Sequence, residues 1–217
     1  MSAQRGTRLL LVRHGETAAN REMRYIGDRD DRLTAHGRHQ AEQLATALSS
    51  LPISAVFSSP RCRAMDTAEP IAAVHKLPVT LTDELRESSF GDWEGRSRAE
   101  VLQHSAESSA HLYAWEADPT LAPPGGESIA SMTTRAAAWA TMVCSRHPGQ
   151  TIVLVSHVGP IKALIALTLG VAPAVAQRMF LDPATISVVD WAGERRVLRL
   201  FNSHAHLGWT RARWMEL

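Results

Sequence analysis

The chain's 217 residues are 45% hydrophobic and 21% charged, the balance of an ordinary globular protein long enough to bury a sizeable core. Its 23 Lys and Arg against 22 Asp and Glu leave a formal charge of +1, which excludes bulk electrostatic binding of nucleic acid but not a small basic pocket. Two cysteines, Cys62 and Cys144, without C-x-x-C spacing exclude a disulfide scaffold and a zinc ribbon, and no apolar run has the length of a secretory or bilayer-spanning segment.

Reduced thiols, a cytoplasmic location, no nucleic acid and no membrane are therefore expected. In chain order, Arg8 to Val12 (RLLLV) reads as a short buried strand. A polar irregular stretch leads to a helix opened by Thr34 as N-cap, with Leu44, Ala45 and Leu48 on its apolar face. AVFSS (Ala55 to Ser59) is a second strand, and Pro60 is expected at the first position of the next helix.

VTLTDEL (Val79 to Leu85) reads as a third, weaker strand. Residues 97–118 read as one helix, with Leu102, Leu112, Tyr113 and Trp115 as candidate inward residues. After the breaker DPTLAPPGGE come a helix from Ser128 to Arg146, the strand TIVLV (Thr151 to Val155) and the helical IKALIALTLG. TISVVDW and RRVLRLF close the chain as two strands joined by a turn at Ala192, Gly193 and Glu194. Strands alternating with helices predict an α/β fold, three layers deep, with a mostly parallel central sheet. One domain over residues 1–217 is expected, with a helical cap inserted at about residues 90–126 over the C-terminal strand edge.

Three strands run directly into charged sequence. RLLLV leads into Arg13-His14-Gly15, AVFSS into Pro60-Arg61-Cys62-Arg63, and TIVLV into Ser156-His157-Val158-Gly159. If these strands are parallel neighbours, two histidines and at least two arginines meet at the edge where α/β sheets bind ligands. Guanidinium forks suit phosphate oxygens, so the expected anion is a phosphoryl group. An imidazole among arginines keeps its lone pair at neutral pH and can attack phosphorus. Arg13, Arg63 and His157 would then stabilise the transferring group, and Glu87 would protonate the leaving oxygen and later activate water.

LVRHGET, LTAHGRHQA, FSSPRCRAMDTA, LRESSFGDWEG, PPGGES and VSHVGPIKAL, spread from residue 8 to about residue 170, together resemble the histidine phosphatase superfamily with its phosphoglycerate-mutase-like fold. The resemblance implies that His14 is the phosphorylated nucleophile, with Arg13, Arg63 and His157 around the phosphoryl group and Glu87 as proton donor and acceptor. It also implies that Asn20 contacts the transferring group; Gly27 is placed with it among the substrate-binding positions. No metal and no cofactor are implied. FGDWEG looks like the compact phosphatase branch of broad-specificity, α-ribazole and sugar-phosphate phosphatases. Segments from residue 156 onward also look like the phosphatase domain that some actinobacterial proteins fuse to an RNase H domain, with no RNase H part in these residues. The tail AHLGWTRARWMEL matches nothing usable.

The resulting expectation is a metal-independent phosphomonoesterase for a small phosphorylated metabolite, of unspecified oligomeric state. The alternatives are a phosphoglycerate-type mutase on the same machinery and a phospho-ligand-binding protein without catalysis. Other polar residues read more plainly. Asp83, Glu84, Asp92 and Glu94 compete with Glu87 and suit a solvated surface, and Arg61 reads as a rim charge. His36 with His39, and His204 with His206, read as exposed. Cys62 lacks the C-x-x-x-x-x-R loop of a cysteine phosphatase, and neither G-x-S-x-G nor G-K-[ST] occurs. Phe90, Trp93, Tyr113 and Trp115 could line an apolar pocket, though such residues are more often core; Trp93 reads as core, and Tyr113 and Trp115 stay open.

Overall fold

Strand β1, Thr7–Arg13, is apolar on both faces, and its alternation sorts the protein into layers. Leu10 and Val12 pack with Leu44, Ala64, Ala68 and Ile71, whereas Leu9 and Leu11 pack with Ala140, Val143, Ile161 and Leu164. The computed structural model describes residues 6–208. Helices α1 (Ala18–Arg21), α2 (Ala35–Leu48) and α3 (Cys62–His75) follow, the last after strand β2, Ile53–Ser58. Strand β3 (Val79–Leu81), helices α4 (Arg98–His104), α5 (Ala106–Ala117) and α6 (Ile129–Arg146), strand β4 (Thr151–Ser156) and helix α7 (Val158–Leu169) come next. Strands β5 (Ile186–Ala192) and β6 (Arg195–Ser203) close the sheet.

The six strands lie in the order β3-β2-β4-β1-β5-β6. The first four are mutually parallel, and β5 alone is reversed, antiparallel to both its neighbours β1 and β6. A strand buried on both faces loses its apolar surface to helices on either side, hence the three-layer α/β/α arrangement; a fully buried Leu such as Leu9 or Leu11 contributes about 2 kcal/mol. Among the described residues no helix is long and apolar enough to cross a membrane.

Several local expectations shift. Helix α3 starts at Cys62, two residues beyond Pro60, because Asp30 Oδ1 accepts the Cys62 amide at 2.6 Å and caps the first turn from a distant loop. The third strand stops at Leu81: the Thr82 hydroxyl accepts from the Glu84 amide, and Asp83–Leu85 winds into a 3₁₀ turn. The helix expected over 97–118 is two helices, since Ser105 is fully extended (φ −162°) and caps α5 through the Ser108 amide. Tyr113 therefore faces outward, 56% exposed, under the Arg98 guanidinium, while Leu112 is fully buried. His204 is buried and His206 half-buried, with the His206 ring on the Ala184 carbonyl, so neither is the exposed residue expected. The tail beyond Gly208 lies outside the described residues.

The cap is a core of its own. Trp93, Val101 and Leu112 are buried together, with Tyr25, Phe90, Leu102 and Trp115 packed around them. Tyr25 stacks on Phe90 at 5.0 Å, and Trp115 meets Trp93 edge-on at 5.5 Å. These contacts hold the cap beside the segment that follows β1.

Candidate active site

Register delivers the reactive side chains. Arg13 of β1 pairs with Ser156 of β4, so the next residues, His14 and His157, leave adjacent strand ends side by side. The His14 amide donates to the Ser156 carbonyl at 3.0 Å, and the two imidazole centroids lie 5.0 Å apart. On the other flank Ser59 leaves β2 with its amide on the Val155 carbonyl at 3.0 Å, and Arg63 follows on the first turn of α3.

His14 is 3% exposed, and its Nδ1 lies 2.7 Å from the Gly15 carbonyl oxygen. A carbonyl only accepts, so the ring proton sits on Nδ1 and the lone pair on Nε2. Burial, then Arg63 and Arg13, hold its pKa well below the usual imidazole value. This imidazole is neutral and desolvated at physiological pH.

His157 has the opposite tautomer. Arg63 Nε donates to its Nδ1 at 3.2 Å, which leaves Nε2–H to donate to Ser59 Oγ at 2.8 Å. Burial and the cationic side chains Arg63 and Arg13 also depress its pKa strongly. Arg63, 1% exposed, spends its other bonds on the carbonyls of Arg29 (2.7 Å), Gly27 (3.0 Å) and Ile26 (3.4 Å). Four acceptors for five N–H donors leave one donor for a ligand. Arg13 Nη1 is anchored on the Leu181 carbonyl at 2.5 Å.

Glu87 arrives from the loop after the 3₁₀ turn rather than from a strand end. Both its oxygens accept the Gly159 amide in the first turn of α7, at 3.2 and 3.1 Å, and Oε1 also takes the Ser88 amide at 3.1 Å. A Cβ at Gly159 would push that carboxylate aside, so glycine lets Glu87 approach the helix as it does, through close contact and not backbone angle. Burial raises the Glu87 pKa, partly offset by the two amides and by Arg63 and Arg13. A carboxyl group so placed can hold a proton and yield it.

These side chains meet at a cavity of about 580 Å³ lined by Arg13, His14, Asn20, Arg63 and Glu87, with Phe90, Trp115, Glu116, Met132 and Lys162 among its further walls. His157 stands immediately behind the lining. Asn20 reaches the cavity from the capping box of α1, where its Oδ1 accepts the Thr17 amide at 3.1 Å. Gly27 takes a different place from the one expected. Its amide donates to Glu94 at 2.9 Å and its carbonyl accepts from Arg63, so it holds an arginine and does not line the cavity.

Four supporting residues escaped the sequence reading. Thr67 accepts the Gly15 amide at 3.0 Å and donates to the Arg63 carbonyl at 2.8 Å; its spacing of four from Arg63 within the R-A-x-x-T match was the available signal. Ser59 orients His157. Glu94, read as solvated surface, instead collects the amides of Gly27, Asp28 and Phe90 at 2.9 to 3.0 Å and ties the Arg63-holding loop to the cap. Arg135 on α6 pairs with Glu127 through two 2.8 Å bonds and reaches the carbonyls of Glu84 (2.8 Å), Arg86 (2.9 Å) and Glu87 (3.3 Å), clamping the loop that carries Glu87.

The remaining candidates fall outside. Arg61 pairs with Asp28 at the rim. Cys62 hydrogen-bonds Asp30, which raises its thiol pKa, the reverse of an activated cysteine. His39 is exposed and His36 half-buried, and among the described residues no three His, Cys, Asp or Glu side chains gather as a metal site would need.

Comparison with known proteins decides the family. The description of the histidine phosphatase superfamily, branch 1, matches residues 9–204. The chain belongs to that superfamily. A bifunctional protein of Mycobacterium tuberculosis is 36% identical over 93% of this chain and 55% of its own length, so the chain spans about half of that relative. The adenosylcobalamin/α-ribazole phosphatase of Escherichia coli is 34% identical over 91% of this chain and 97% of its own. The solved structure of a mycobacterial glucosyl-3-phosphoglycerate phosphatase with VO3 superposes at a TM-score of 0.79, with 32% identity over 90% of this chain and 99% of that one. Matching segments at that coverage give this histidine phosphatase family member the α/β fold already described.

Proposed function

We propose that this superfamily member is a metal-independent cytoplasmic phosphomonoesterase acting on a small phosphorylated metabolite through a phosphohistidine on His14. The observation that carries the reading is His14 itself: a buried, neutral imidazole whose Nδ1 proton is fixed on the Gly15 carbonyl, so that Nε2 is the free nucleophile between Arg13 and Arg63. The relatives named as phosphatases of small phosphorylated molecules support it.

In the first step Nε2 attacks phosphorus and the P–O bond to the substrate's leaving oxygen breaks. That oxygen takes the proton of the Glu87 carboxyl and departs as an alcohol. Arg13 and the spare donor of Arg63 stabilise the equatorial oxygens, with Asn20 beside them. In the second step the Glu87 carboxylate takes a proton from water as its oxygen attacks phosphorus; the P–N bond breaks, its electron pair returns to Nε2, and phosphate leaves.

The test is hydrolysis of p-nitrophenyl phosphate with EDTA present, comparing wild type and His14→Ala. Turnover that survives the chelator and vanishes in the variant is the expected result. Full activity in His14→Ala, or loss on chelation, would overturn the reading.

A further inference from the structure

Two cations lining the cavity have no part in the two steps above, and of these Arg24 is already paired with Glu22 and Glu100. Lys162 sits on the face of α7 that also presents Val158, Gly159 and Ala163 to the cavity, one helical turn past the glycine that holds Glu87. It is half-buried, and among the described residues its ammonium makes no hydrogen bond and no ion pair. Its charged neighbours across the cavity are Glu87, which favours the ammonium, and Arg13, which opposes it. The adjoining wall is apolar: Ile129, Met132, Ala163 and Ala176 offer a cation nothing. A long, flexible lysine thus holds an unpaired ammonium in the cavity beside the reacting group, with apolar side chains on one flank.

Charge matching says what it awaits. Arg13 and Arg63 bring two positive charges to a phosphoryl group carrying two negative ones. In the first step Glu87 carries a proton and is neutral, so the ammonium of Lys162 is the one charge left unmatched. A lone ammonium fits a monoanion. A second phosphate would set two more negative charges beside Glu87 against a single lysine.

Resting on the phosphomonoesterase reading, we infer that Lys162 is a substrate-selecting residue that binds a carboxylate carried a few bonds from the phosphoester. The substrate class is then a short-chain phosphorylated carboxylic acid whose remaining carbon surface lies on the apolar wall.

The test compares 3-phosphoglycerate with glycerol 3-phosphate, which differ by a carboxylate in place of a hydroxymethyl group. Wild type is expected to favour 3-phosphoglycerate in kcat/KM. In Lys162→Met that preference ratio falls ~10- to 100-fold, the range of a charge-assisted hydrogen bond, and Lys162→Arg retains most of it. An equal fall on both substrates would make Lys162 a phosphoryl ligand and overturn the inference, as would the absence of a wild-type preference. Calorimetric binding of the two compounds to His14→Ala reads the same subsite without turnover. If p-nitrophenyl phosphate is not hydrolysed by wild type, the phosphatase reading fails by itself, while the binding comparison still decides Lys162.

Discussion

The floor of the cavity and its cap are built on different principles. On the floor, Arg13, His14, Arg63 and His157 are 1% to 7% exposed, and each is anchored by bonds to backbone or to another buried side chain. Sheet register sets Arg13, His14 and His157 side by side, and the first turn of α3 brings Arg63 to them. The cap instead packs aromatic rings at 5.0 to 6.2 Å around a small core and presents Phe90 and Trp115 to the cavity. Polar bonds with fixed direction give a site for one chemical group; apolar contacts without direction give a wall that accommodates a variable remainder. In this account the floor determines the rate for every substrate, while the cap, together with Lys162 on α7, determines which substrates bind.

The sharpest way to break that division is at the nucleophile. His14→Ala is expected to lower kcat by ~10⁴-fold or more on every phosphomonoester, measured in single-turnover experiments. A substrate-dependent loss would deny the floor its general role.

Glu87→Gln comes next. It should lower kcat/KM on alkyl phosphates by ~10²- to 10⁴-fold and much less on p-nitrophenyl phosphate, whose leaving group needs no proton, while the lost base of the second step lowers kcat on both alike. The pH profile follows from the direction of the shift. Burial raises the Glu87 pKa, so the acid form persists above the ordinary carboxyl range, and kcat/KM for alkyl phosphates falls only as pH rises through the raised value. In Glu87→Gln that alkaline limb should disappear.

Arg135→Met tests whether the Glu87 loop needs its clamp. We expect a loss of about 2–3 kcal/mol in urea unfolding from the stranded Glu127 and the loop carbonyls. The kcat/KM loss should be larger on alkyl than on p-nitrophenyl phosphate, because only the former needs the Glu87 proton on its leaving group. An equal loss on both would make Arg135 a stability residue alone.

The buried histidines predict an acid weakness of the floor. Both folded pKa values lie well below that of a free imidazole, so below about pH 6.5 the unfolded chain binds protons that the folded one refuses. Stability therefore falls with falling pH by up to about 1.4 kcal/mol per pH unit for each histidine. His14→Gln should flatten that slope, read from urea midpoints across the range. The smallest effect belongs to the cap: Trp115→Ala should raise KM by ~10-fold with little change in kcat, since a removed aromatic wall weakens ground-state and transition-state binding alike.

The difference between floor and cap also decides what could be read from sequence. Arg13, His14 and His157 follow apolar strands immediately, and Arg63 lies one turn into the next helix, so local pattern together with the α/β strand-end rule foretold their meeting. Residues that act through tertiary contact were invisible or misread. Arg135 lies 48 residues from Glu87 in an ordinary helical stretch, and Glu94 lies 67 from Gly27, where it looked like one more surface acid. Lys162 passed as a helix residue because no period distinguishes a lysine facing solvent from one facing a cavity. The misplaced helix start after Pro60 has the same origin, a cap supplied by Asp30 from 32 residues away.

The central claim is the covalent intermediate on His14 Nε2. Rapid acid-free quenching during turnover of a phosphomonoester, followed by peptide mapping, should find one phosphoryl group on the peptide containing His14, stable to base and labile to acid. An enzyme that turns over steadily yet never carries that phosphoryl group, and that still hydrolyses substrate as His14→Ala, would contradict the account.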